Sequence, residues 1–436
     1  MARTNVPNVN TKRTHEGAMA SMTNAEQDLR RSLMACLLWE STFYEEGVEI
    51  AQRIAQLVAH VDPDKVAAMA IEAREKNKLR HAPLWVVRAM AAKTSHKRLV
   101  ADTLARIIQR ADELTEFLSL YWLGKRTPLS AQVKKGLARA FTKFDAYQLA
   151  KYNRDGAVKL RDVLFLCHAK PINDEQAETW KKLVDGTLES PDTWEVNLSA
   201  GKDKKETFER LIREKNLGAL ALLRNLRNMD QAGVDEELIF GALAEMNVSR
   251  VLPFRFITAA RYAPQWESKL EVPMLKAIDG REKLPGKTVL VIDVSGSMDW
   301  NISDKSEVVR IDAAAGLAIL ARELCENVAV YTFSSDEVRV PDRHGFALRD
   351  AIINSQPHAG TWIGKSVKAI NVKETYDRIV VFTDEQAHDD IPNPNPGSKG
   401  YIVNVAAYKN GIGYGSYTHI DGWSESIFDY ITQVEK

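Results

Sequence analysis

Cysteine is scarce in this chain: Cys36, Cys167 and Cys325 are the only three in 436 residues, they lie far apart, and no two form a C-x-x-C pair. That pattern excludes a disulfide framework and a thiolate zinc site, and it suits a reducing compartment, so a cytoplasmic location is expected. Long apolar runs are also missing, since none approaches the ~18 consecutive residues of a membrane span. The start, "MARTNVPNVNTKRTHEGAMA", has no apolar h-region; it reads as a flexible arm over residues 1–20 and not as a secretory signal. Net charge is absent too, with 59 Lys and Arg against 59 Asp and Glu. Taken alone, that balance argues against a nucleic-acid partner.

The zero sum conceals an asymmetry. Residues 1–284 carry 45 basic against 38 acidic side chains, whereas residues 285–436 carry 14 against 21. Within residues 76–170 there are 20 Lys and Arg and only 7 Asp and Glu. Such a window has the electrostatic footprint of a phosphate-binding surface.

The length exceeds the roughly 250 to 300 residues at which single cores stop growing, so more than one domain is expected. From Asn24 to about Ala277 the pattern is helical, as in "GVEIAQRIAQLVAHV", "LVADTLARIIQRADEL" and "AQVKKGLARAFTKF", with apolar residues three to four apart. Breakers such as Asp62-Pro63, Thr127-Pro128 and Lys170-Pro171 divide it into short antiparallel helices. Helix pairs of this size stack into α-solenoids, although no sharp repeat period is visible. Past "REKLPGK" the texture changes to short Val- and Ile-rich runs, "TVLVIDV", "NVAVYTF", "RIVVFTD" and "GYIVNVAAY", alternating with helices. That predicts a doubly wound α/β domain over residues 285–436, with a parallel sheet buried on both faces. Ligands of such sheets bind beyond the carboxyl ends of the strands, where Asp293 and Asp384 fall.

The stretch "VLVIDVSGSMDW" at 289–300 is the most distinctive. It has neither the glycine spacing nor the lysine of a phosphate loop, and a nucleophile elbow would need G-x-S-x-G. What remains is a carboxylate and two hydroxyls at alternate positions, Asp293, Ser295 and Ser297, which suit a hard divalent cation such as Mg²⁺ that keeps several waters. Thr361 in "HAGTWIGKS" and Asp384 in "IVVFTDEQ" are delivered to the same edge by later loops. The bland alternatives are serines that cap the next segment and a metal held for structure alone. A hydrolase would need a general base near Ser295, for which His358 and His388 are the candidates.

The D-x-S-x-S, Thr and Asp elements resemble the metal-ion-dependent adhesion site of von Willebrand factor A domains, matching Asp293, Ser295, Ser297, Thr361 and Asp384. The resemblance implies a metal with one coordination position open to an acidic group of a partner. The helical segments "RRSLMACLLWESTFYEEG", "AREKNKLRHAPLWVVRAMA" and "KYNRDGAVKLRDVLFLCHAKP", with the closing "NVAAYKNGIGYGSYTHIDGWSESIFDYI", resemble the TROVE module and C-terminal end of the Ro ribonucleoprotein autoantigen family, of bacterial or phage type. This resemblance implies HEAT-like helical repeats in a TROVE domain over residues 21–284, closed into a ring by a von Willebrand A domain. It further implies that Y-like small noncoding RNA binds an outer basic surface and that single-stranded 3′ ends of misfolded RNA enter a central hole. An exoribonuclease tethered through the small RNA would be a partner, and the ring would be monomeric.

Carried over onto "KYNRDG…CHAKP", the family's RNA surface falls on Lys151, Arg154 and His168, with Arg161 and Lys170 nearby and Lys134 and Lys135 in the same basic window. One residue fewer separates Lys151 from Arg154 than in the vertebrate pattern, and Ala157 stands where an aromatic often follows the glycine. Each cation has a plainer reading as a solvated helix face, and His168 as a core histidine. Trp39, Trp85, Trp122 and Trp180 lie on apolar stripes and are expected in the core. The expectation is a non-enzymatic RNA-binding scaffold with no membrane association. The competing reading is a metal-dependent protein-interaction module.

Overall fold

The computed structural model describes residues 12–20, 22–34, 46–249, 251, 253–279, 282–302, 308–406, 411–413, 415–422 and 426–435. Helices occupy the chain from Ala25 to Lys276, and strands begin at Leu284. Local sequence explains the helix ends. Asp62 accepts hydrogen bonds from the Asp64 and Lys65 amides ahead of Pro63, which starts helix Pro63–Glu75. Asn173 caps helix Asp174–Asp185, which stops at Gly186 in the left-handed conformation (φ 71°). The charge alternation at residues 206–215 is an ion-pair surface, with Arg210 on Glu214 and Arg213 on Glu209.

The sheet has six strands: β1 Leu284–Asp293, β2 Cys325–Phe333, β3 Glu337–Arg339, β4 Arg378–Thr383, β5 Lys399–Asn404 and β6 Thr418–Asp421. Their order is β3-β2-β1-β4-β5-β6. All neighbours are parallel except β2 and β3. This is the doubly wound arrangement, an α-solenoid followed by a von Willebrand A-type sheet, and its crevice lies where β1 meets β4. The four apolar runs are β1, β2, β4 and β5; β3, of three residues, and the polar β6 carry no such run.

Packing divides the chain elsewhere than secondary structure does. One apolar core gathers residues from Leu29 to Leu183. A second runs from Phe208 through the later helices into one face of the sheet, as far as Ile431, and a third lines the opposite face from Val289 to Ile402. Helix Arg310–Leu324 makes that continuity, because it is buried almost throughout, between the sheet and helix Pro253–Tyr262. Gly316 lets the two approach, since a Cβ there would lie 3.2 Å from the Phe254 amide nitrogen. Arg261 and Asp312 pair across the same seam at 2.7 Å.

The first helix also meets the sheet domain. Arg31, on helix Ala25–Met34, forms a buried ion pair with Glu385, which follows β4. Both ends of the helical array are therefore attached to the sheet domain, and the chain closes on itself.

The arm expected to be flexible over residues 1–20 is in part docked. Residues 1–11 lie outside the described residues, but Thr14 Oγ1 donates to the Ala387 carbonyl at 2.7 Å, the His15 amide to Gln386 at 2.7 Å and the Ala18 amide to the Ala387 carbonyl at 3.2 Å. Its polar composition concealed backbone groups that a loop of the sheet domain satisfies. Cys36 and Trp39 lie outside the described residues. Cys167 and Cys325 are buried, and burial pushes the Cys167 thiol up to about 11. No helix among the described residues is long and apolar enough to cross a membrane.

Candidate nucleic-acid interface and metal centre

At the crevice, β1 ends in Asp293 and β4 is followed by Asp384, and both are fully buried. Asp293 Oδ1 accepts the Ser295 amide at 2.9 Å and Oδ2 accepts the Thr383 hydroxyl at 2.6 Å. Ser295 and Ser297 place their hydroxyl oxygens 3.3 Å apart, and Ser297 Oγ donates to Asp384 Oδ2 at 2.7 Å. Thr361 is 4% exposed and sits on the adjoining loop, which the Gly296 amide holds through the Ala359 carbonyl at 3.2 Å. Burial first, and then the neighbouring Asp384, pushes the Asp293 carboxyl up to about 7.

One residue that the sequence did not single out enters this centre. Arg310 is fully buried, and its guanidinium lies 3.2 Å from both Asp384 Oδ2 and the Ser297 carbonyl. Two carboxylates against one guanidinium leave a negative balance when both acids are ionised. No three His, Cys, Asp or Glu cluster around a metal among the described residues; the donor set here is two acids completed by hydroxyls. Such oxygen donors with residual negative charge fit a hard divalent cation that keeps waters.

The two histidines considered as bases for Ser295 are engaged elsewhere. His358 Nδ1 pairs with Asp299 at 2.8 Å and Nε2 faces the Ile353 carbonyl at 2.9 Å. His388 receives the Thr361 amide at 3.2 Å, lies 3.3 Å from Glu16 and stacks on Trp362 with centroids 5.0 Å apart.

Ion pairs take up only part of the basic window, and Lys159 within it pairs with Asp155. Arg80, Arg98, Arg106, Arg110 and Arg139 are all matched to carboxylates. Lys134, Lys135, Lys151, Arg154, Arg161, His168 and Lys170 have no carboxylate partner among the described residues. They follow a path along three successive helices and the loops that join them. Lys134 and Lys135 are on helix Ala131–Phe141, Lys151 is in the last turn of helix Ala146–Tyr152, and Arg154 is in the loop after it. Arg161 opens helix Leu160–Cys167, His168 ends it, and Lys170 follows. The first and last of these helices pack together, and the Lys134 charge is felt at the Cys167 thiol, beside His168. Lys151 Nζ lies 6.0 and 5.9 Å from the rings of Tyr147 and Tyr152.

The path is exposed, apart from Lys134 and Lys151, which are half-buried. His168 is thus a surface residue, not a core histidine, and it holds a left-handed backbone at φ 53° where glycine is the usual choice. Trp85 and Trp180 are core residues, at 5% and 4% exposed. Trp122 differs: it is half-exposed, with the Arg126 guanidinium 4.6 Å above its ring.

With two separate centres defined, the class of protein follows. TROVE domain matches cover residues 9–187 and 179–284, more than half of the chain, and the chain belongs to the TROVE-domain family. Telomerase protein component 1 of Rattus norvegicus is 24% identical over 307 residues, 50% of this chain and 12% of that protein. The protein of the same description from Mus musculus is 37% identical over 89 residues, 19% of this chain and 3% of its own length. The chain thus spans only a small part of these relatives. Among solved structures, the Ro (RSR) protein of Deinococcus radiodurans superposes with a TM-score of 0.63, covering 94% of this chain and 99% of that one at 18% identity. At that identity the likeness is one of fold, and it embraces both the helical array and the sheet domain. Family membership supports an RNA-binding role.

Proposed function

We propose that this chain is a non-enzymatic RNA scaffold that holds a small structured, Y-like noncoding RNA along the three-helix path from Lys134 to Lys170. The observation that carries this reading is a run of six Lys and Arg side chains and one histidine, from Lys134 to Lys170, without carboxylate partners among the described residues of a TROVE chain. Unpaired cations on a fixed scaffold neutralise phosphates and release counterions, which is the dominant sequence-independent source of affinity. Double-stranded RNA would be held by shape and backbone contacts. Single-stranded 3′ ends of misfolded RNA would enter the opening of the closed array, and the small RNA would gate that entry or tether an exoribonuclease. A monomer acting in the cytoplasm belongs to the same proposal.

Asp293, Ser295, Ser297, Thr361 and Asp384 would hold a divalent cation, Mg²⁺ by the character of the donors. When bound, the ion supplies a Lewis-acidic position for an acidic group of a partner. Arg310 keeps Asp384 oriented, and Thr383 keeps Asp293 oriented. A second reading, metal-dependent docking of a protein, is favoured at this end by Trp300 and Trp362, which are 57% and 40% exposed and border the donors in sequence.

Recovery of RNA with the purified chain from extract of its own cells, with and without a chelator, tests these readings. A discrete small structured RNA retained in chelator supports the scaffold. A protein captured only with metal, and lost with Asp293→Ala, in place of RNA supports the second reading.

A further inference from the structure

A groove of about 520 Å³ opens where helix Asp112–Tyr121 ends against helix Leu160–Cys167. Its walls include Trp122, Arg126, Val158, Asp162, Phe165 and Leu166. The volume lies within the range of small-molecule sites, about 300 to 1,000 Å³. One ring is where apolar burial alone would not leave it. Phe165 is 60% exposed although helix Leu160–Cys167 buries Leu160, Val163, Leu164 and Cys167 on its other side. Trp122 is fixed in place by its Nε1–H donating to the Thr127 carbonyl at 2.7 Å, and Arg126 lies over the ring. The polar groups are oriented as well: Asp162 Oδ2 accepts the Lys159 amide at 2.8 Å, and the Ser119 hydroxyl donates to the Thr115 carbonyl at 3.0 Å.

The groove adjoins the cationic path. Its wall at Val158 continues the loop that carries Arg154, and the helix that carries Phe165 begins Leu160-Arg161. Arg126, like Arg154 and Arg161, has no carboxylate partner among the described residues. An occupant that complements aromatic walls beside unpaired guanidinium groups has a flat ring and an anionic backbone. We propose that this groove is a slot for an unpaired nucleobase of the bound RNA, stacked against Phe165, with Arg126, which covers the Trp122 ring, at the adjoining phosphate. The slot rests on the RNA-binding reading and adds a contact that a blunt duplex cannot make. Base stacking on an aromatic side chain contributes about fivefold or more in affinity per base.

The test compares a short single-stranded oligo(A) with a blunt RNA duplex of equal phosphate count, binding each to wild type, Phe165→Ala and Phe165→Tyr. Phe165 is exposed, so both variants keep the fold, and matched thermal melts check it. The slot predicts that Phe165→Ala weakens the single strand about fivefold or more, that Phe165→Tyr restores it, and that the duplex shifts by less than about twofold. Single-strand affinity that is unchanged in Phe165→Ala, or that falls no more than that of the duplex, overturns the slot. Wild type that binds the duplex and ignores the single strand also overturns it, and leaves the groove to a protein side chain. Wild type that binds neither RNA defeats the RNA reading itself, and the slot with it.

Discussion

Arg310 places a cation within hydrogen-bond reach of Asp384, in a crevice where Asp293 is already pushed up to about 7. Removing one member of a buried pair leaves the other uncompensated, which costs about 3–5 kcal/mol. Arg310→Met should therefore lose on the order of that much in urea unfolding. Excess Mg²⁺ should return part of it, because a ligand that binds only the folded state stabilises it by mass action. A loss indifferent to Mg²⁺ would argue that the donors hold no cation. In the same manner, calorimetric Mg²⁺ binding should vanish in Asp384→Ala while the helical array keeps its fold. The D-x-S-x-S spacing is local, and so it is legible in sequence as a donor set at a strand end. Arg310 is not, because a charge inside the helical run "RIDAAAGLAILAREL" gains its partner only when β4 arrives alongside. Trp122 was legible as an aromatic on an apolar stripe, and it does pack against the core, but its position at the end of a helix leaves it only partly buried.

Among the elements, the junction of the first helix with the sheet domain is held by buried charge. His419 on β6 contacts Glu385, lies 3.4 Å from Asp421 and is buried with both. Burial opposes its charge, but Asp421 and Glu385 outweigh burial and push the imidazole up to about 9. The same partnership lowers Asp421, against the burial that would raise it. Because the folded value for His419 lies above the ordinary one near 6.5, its contribution to stability is complete below about pH 6.5 and is lost as pH rises through about 9. Unfolding midpoints should decline across that interval. His419→Gln should be less stable at the acidic end and flatter across the range; a parallel profile would remove His419 from the account. Arg31→Met should speed hydrogen exchange in helix Ala25–Met34 with little change in helix Asp174–Asp185, far from the junction. None of this network was legible, because its members are separated by as many as 388 positions and meet only across elements. The docked arm was missed for a related reason: composition records side chains, whereas Thr14 to Ala18 are anchored mainly through backbone groups.

At the scale of the molecule, the fold class was legible because two periodicities alternate cleanly. Helical spacing persists to Lys276, and buried parallel strands follow from Leu284. The shared core was not, since helices after Trp194 join the sheet through contacts such as Phe254 on Gly316. That shared core makes the second half of the chain one cooperative body, to which the helices from Leu29 to Leu183 are attached at both ends. The candidate RNA path lies on those attached helices and the candidate metal centre on the body. Chelation should accordingly leave RNA affinity unchanged, while salt should reduce it steeply. The most direct test is the affinity of the recovered RNA across a salt series for wild type and the triple variant Lys151→Ala, Arg154→Ala, His168→Ala. The account predicts weaker binding by the variant and a salt slope shallower by about one for each phosphate-contacting cation removed. Equal affinity and an equal slope would contradict it, and would return the path from Lys134 to Lys170 to an ordinary solvated surface.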